Sequence, residues 1–141
     1  MKVLAVDPGD KNIGLAVSDD TWTLARPLTV IAHVSMDQDV QRIAEAANVN
    51  QVEVVVIGAA FGGDGEETRA VRHAQRLLER LQSVTLLKCV LWDESGTTQV
   101  ARNAAVRAGK SKQHRMGHHD AMAAAIILQD YLDAIREEKC P

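Results

Sequence analysis

The chain has 141 residues, a length that fits one domain able to bury a hydrophobic core without disulfide staples. Hydrophobic residues make up 46% and charged residues 25%, values that exclude a disordered tail. With a net charge of −3, nothing in the overall balance announces a nucleic-acid partner.

Residues 2–7 (KVLAVD) and 12–18 (NIGLAVS) read as strands joined by DPGDK, whose Pro and Gly suit a tight hairpin turn. A third strand is expected near 24–31, and Pro27 within it predicts an edge strand or a bulge. Residues 37–48 have helical periodicity, with Val40, Ile43, Ala44 and Ala47 on one side. VEVVVIG (52–58) is a continuous β-branched run, the pattern of a strand buried on both faces in a parallel sheet. A Gly-rich loop, AAFGGDG, leads to an amphipathic helix from Glu66 to Leu81, and 84–92 read as another buried strand. Thr97 to Ala108 read as a helix stopped at Gly109, 110–118 as a polar basic loop, and His119 to Ile135 as the last helix. The order βββαβαβαα implies an α/β fold with a mixed five-stranded sheet flanked by helices, as a single domain over 1–141.

Cys89 and Cys140 form no CxxC pair, so neither a disulfide framework nor a cysteine-based zinc site is expected. The N-terminus has no signal-peptide pattern and no run approaches a membrane span, so a reducing cytoplasm is the expected compartment. Charge is unevenly spread. Residues 95–119 contain no acid and carry Arg102, Arg107, Lys110, Lys112 and Arg115, for +5 against −8 in the remainder. A solvated surface would explain such a run, and so would a face that meets an anionic partner.

Four carboxylates stand at element ends. Asp7 closes the first strand, Asp93 and Glu94 close the last, and Asp120 opens the final helix. In α/β sheets functional groups gather at the carboxyl ends of parallel strands. Each acid also has a local task available: Asp7 in the DPGD turn, Asp93 in a loop, Asp120 as a helix N-cap. If they converge, they cannot all ionise without a counter-charge. Oxygen-only ligands favour magnesium or manganese, and two such ions can clamp a phosphodiester during attack by water.

These segments carry a family resemblance. VDPGDKNIGLAVSD is similar to the opening DxGxKxIGxAxSD of the YqgF (RuvX-like) family, LWDESGTT to its DERxTT motif, and HHDAMAAAIILQDYL to its closing DxxAAxxILQxYL. The correspondence runs in order over nearly the whole chain. It implies an RNase H-like fold and a metal-dependent nuclease. Family members are described as candidate pre-16S rRNA nucleases in ribosome maturation and as candidate Holliday junction resolvases. By motif position, Asp7, Asp120 and one of Asp93 and Glu94 would bind magnesium or manganese. Neighbouring strand residues point oppositely, so only one of that pair is expected to serve; Asp93 is preferred. Three departures bear on substrate contacts: Ser95 and Asn12 stand where the family has Arg, and GAAFGGDG replaces GLPxxxxG.

Lys11, Arg107, Lys110, Lys112 and Arg115 are the expected phosphate contacts in a pre-rRNA or branched-DNA partner. The loop GAAFGGDGEET lacks the GK[ST] ending of a nucleotide P-loop and reads as a strand-to-helix turn. Thr97 and Thr98 suit helix capping. His114, His118 and His119 lack an HExxH motif, so zinc is not expected. Two other classes are a non-catalytic nucleic-acid adaptor, with Ser95 as a mark of lost activity, and an actin-like ATPase, for which the chain is too short. RNA or DNA, endo- or exonuclease, and monomer or homodimer all stay open.

Overall fold

A computed structural model describes residues 1–61, 68–94 and 112–139, with the side chains of 112–120 and 138–139 left aside. Five strands form one sheet: β1 (Lys2–Pro8), β2 (Asn12–Ser18), β3 (Ala25–Ala32), β4 (Val52–Ala59) and β5 (Lys88–Asp93). Their spatial order is β3-β2-β1-β4-β5. β1 pairs antiparallel with β2 and parallel with β4, and β5 runs parallel to β4. The continuous apolar runs therefore occupy the middle of the sheet, where both faces are covered.

The β1–β2 turn depends on Gly9. Its N–H donates to the Asn12 carbonyl at 3.0 Å, and a Cβ there would lie 2.4 Å from that oxygen. Only glycine accepts so close an approach. β3 is an edge strand, and its register with β2 slips where Leu15 faces Thr29 but Ala16 faces Pro27. Leu28 is the extra residue, so Pro27 marks an edge and a bulge together.

Helices α1 (Met36–Val49) and α2 (Arg69–Val84) cover one face. Ser35 caps α1 by accepting from the Gln38 N–H, and Thr68 caps α2 by accepting from the Val71 N–H. The Thr68 cap sets the start of α2 at Arg69 rather than at the expected Glu66. At its far end α2 continues to Val84, where the Thr85 N–H bonds the Leu81 carbonyl. β5 consequently begins at Lys88, later than the expected residue 84. Cys89 is half-buried on β5, and burial pushes its thiol pKa up, as befits a small strand hydrophobe.

Helix α3 (Lys112–Lys139) covers the other face. It begins well before the expected His119, so 112–118 are helical rather than loop, despite the cost of about 1 kcal/mol that Gly117 brings. Ala121, Ala124 and Ala125 let the helix approach the sheet closely, and Leu128 and Leu132 are fully buried beneath it. Each such leucine contributes about 1.5–3 kcal/mol by leaving water. Polar contacts then fix the helix in place. The Gln129 side chain accepts from the Ala25 N–H and donates to the Thr23 carbonyl, both at 2.9 Å. Trp92 Nε1 donates to Asp130 at 2.9 Å, while its ring meets Tyr131 edge-on with centroids 5.2 Å apart. Trp92 is thus a partly buried residue packed against the core under α3. The expected helix over 97–108 lies outside the described residues. No helix among the described residues is long and apolar enough to cross a membrane.

A candidate active site at the strand ends

Sheet pleating decides which carboxylates can meet. On β1, Leu4 and Val6 pack toward α1 and α2, while Val3 and Ala5 pack toward α3. Alternation places Asp7 on the α3 face. It lies opposite Gly14 on β2. On the other side the parallel register, Val6 against Ile57, brings Gly58 of β4 level with Asp7. Glycines therefore flank Asp7 on both neighbouring strands. The sequence displays both glycines, but that they stand beside Asp7 emerges only from the register.

On β5, Cys89 and Leu91 pack toward α2, and Trp92 packs toward α3. Asp93 therefore turns to the α2 face. It is exposed, and its Oδ1 accepts from the Phe61 N–H at 3.3 Å, holding the segment that follows β4. Glu94 comes back to the α3 face. Its Oε2 lies 3.2 Å from where a Cβ on Gly58 would stand, beside Ile127 of α3. The contact at Gly58 thus puts the Glu94 carboxylate on the face that carries Asp7, while the phase of β5 turns Asp93 to the other face. Both Asp7 and Glu94 are partly buried.

Anchors on two sides hold α3 against the sheet. Ile127 packs at Gly58, near the carboxyl end of β4. Gln129 bonds Ala25, which pairs with Ser18, and the Ser18 hydroxyl accepts from the Val3 N–H at the start of β1. The helix thus touches both the carboxyl end of β4, through Ile127, and the start of β3, through Gln129. Asp120 lies in α3 seven residues, two helical turns, before Ile127. Its side chain lies outside the described residues, as do those of His114, His118 and His119. Among the described residues no three His, Cys, Asp or Glu side chains are grouped to hold a metal.

Lys11 is exposed in the β1–β2 turn, where its carbonyl accepts from the His33 N–H at 2.9 Å. Lys112 and Arg115 fall on the first turns of α3, in helix rather than the expected loop. Arg107 and Lys110 lie outside the described residues.

Residues 1–134 match the family described as RuvX, Holliday junction resolvase. A Syntrophus aciditrophicus protein carrying the provisional name pre-16S rRNA nuclease is 37% identical over 141 residues, covering 100% of this chain and 94% of the relative. A Thermoanaerobacter pseudethanolicus protein of the same provisional name is 33% identical over 135 residues, covering 95% and 97%. Among solved structures, Thermus thermophilus RuvC in complex with a Holliday junction substrate superposes with a TM-score of 0.58 at 16% identity, over 96% of both chains. The fowlpox virus Holliday junction resolvase does so with a TM-score of 0.56 at 13% identity, over 95% of this chain and 99% of that one. At such low identity these likenesses speak for the fold, which is the RNase H-like architecture that the sequence resemblance implies.

Proposed function

Since the chain belongs to the RuvX family, we propose that it is a metal-dependent nuclease of structured nucleic acid, acting on the 5′ end of pre-16S rRNA during ribosome biogenesis. The observation that carries this reading is the placement of Asp7 and Glu94 on one face, at the carboxyl ends of β1 and β5, beneath the helix that bears Asp120. The donor set fits magnesium or manganese: every donor is a carboxylate oxygen, and partly buried carboxylates need a divalent counter-charge. Asp7, Glu94 and Asp120 would hold the ions. When bound, two ions would supply Lewis-acid activation of water and neutralise charge on the leaving oxygen. Asp93 serves instead to hold the chain after β4 through the Phe61 amide.

Lys11, Arg107, Lys110, Lys112 and Arg115 would bind substrate phosphates and draw the backbone across the carboxylates. Phosphate contacts release counterions, so each lost contact lowers the salt slope of affinity by about 0.7–0.9. Lys110→Ala with Lys112→Ala is expected to weaken binding and flatten that slope while saturated turnover stays near wild type. Fluorescence anisotropy across a salt series measures it, in an Asp7→Asn background. An unchanged slope would mean a solvated surface.

A second reading has its own support. The family description and the RuvC neighbour both point to four-way DNA junctions, so a Holliday junction resolvase is the alternative. Purified protein with manganese or magnesium, offered precursor rRNA, single strands and four-way junctions side by side, separates the two. Metal-dependent cleavage of precursor rRNA is the expected result. Preference for junctions would favour the resolvase, and no cleavage of any substrate would favour a non-catalytic adaptor.

A further inference from the structure

Gly58 sits inside β4, a position where glycine costs stability and usually signals a close approach. A Cβ on Gly58 would lie 2.6 Å from Ile127 Cδ1, 3.1 Å from Ile127 Cγ2 and 3.2 Å from Glu94 Oε2. The two side chains come from different elements: Glu94 from the end of β5, Ile127 from the helix that carries Asp120. We infer that Gly58 is a positioning residue for the carboxylate site, its missing side chain being the gap that lets α3 and Glu94 close over the strand ends beside Asp7. This rests on the reading of Asp7 and Glu94 as metal ligands.

Ile127 can turn its Cδ1 end about χ2, but its branch point cannot yield. It is 3% exposed, and its β-branched side chain in a helix keeps essentially one χ1 rotamer, so the Cγ2 methyl cannot swing away. The helix cannot slide freely either, because Gln129 and Asp130 tie it to the β2–β3 turn and to Trp92. A methyl at position 58 therefore strains the seat of α3 and presses on the Glu94 carboxylate at once. In a close-packed interior such strain is passed on to the neighbours rather than absorbed locally. A role limited to packing would alter stability alone, whereas a positioning role also alters the affinity for a cation.

The test is manganese binding by calorimetry in four proteins: wild type, Gly58→Ala, Gly58→Ala with Ile127→Val, and Gly58→Ala with Ile127→Ala. Displacing a group that orients metal ligands typically costs about 10- to 100-fold in affinity, and that is the loss expected for Gly58→Ala. Affinity should recover stepwise as first Cδ1 and then Cγ2 of residue 127 is removed. In cleavage assays turnover should follow the same order, with the KM for nucleic acid little changed. Equal manganese affinity in all folded members of the series would overturn the assignment, even if Gly58→Ala itself failed to fold. Wild-type protein that binds no manganese would sink the metal-site reading and this assignment with it, a result distinct from a flat series on a wild type that binds.

Discussion

Asp7→Asn is expected to lower metal-dependent cleavage by about 10³-fold or more while the protein stays folded. The substitution keeps the size of the side chain and removes the charge. Losing one carboxylate from a divalent site forfeits several kcal/mol of transition-state stabilisation, and about 4 kcal/mol corresponds to that factor in rate. The fold should survive because Asp7 is only partly buried and sits at the end of β1, beyond the fully buried Val3, Leu4, Ala5 and Val6. Cleavage under saturating manganese, with urea unfolding of the same preparation, checks both halves. An Asp7→Asn protein that cleaves at the wild-type rate would remove Asp7 from the chemistry.

Glu94→Gln and Asp93→Asn form the second comparison, and they should diverge sharply. Glu94 faces α3 and the Gly58 gap, so Glu94→Gln should cost about 10²–10³-fold in turnover. Asp93 faces the other way, and an asparagine Oδ1 can still accept from the Phe61 N–H. Asp93→Asn should therefore stay within about twofold of wild type, the usual range for a surface change away from a site. Side-by-side kinetics of the two purified variants decide it; the opposite pattern would return Asp93 to the site.

Much of this arrangement can be read from the amino acids alone. The apolar runs at β1, β2 and β4 are long and unambiguous, and the DPGD turn and Pro27 point to the hairpin and the edge. Element ends are harder. Thr68 with its hydroxyl and Thr85 with its backbone N–H set the limits of α2, through bonds that no periodicity reports. The helix through Gly117 is stabilised by packing further along α3, which outweighs the local preference of glycine for a turn. The face that Asp93 takes depends on the phase of one strand, and a one-residue change of phase exchanges the two faces. That phase is set by Trp92 packing under Tyr131, a contact 39 positions away in the chain. The gap at Gly58 had a visible signal, an isolated glycine closing a β-branched run. What fills it, Ile127 and Glu94, depends on how α3 crosses the sheet.

The most direct measurement of the central claim is anomalous diffraction at the manganese edge from crystals of the wild-type protein soaked in manganese chloride. A peak bonded to carboxylate oxygens of both Asp7 and Glu94, on the α3 face of the sheet and lost in Asp7→Asn crystals, is the predicted result. A peak on Asp93 without Glu94, or none at the strand ends at saturating manganese, would contradict it.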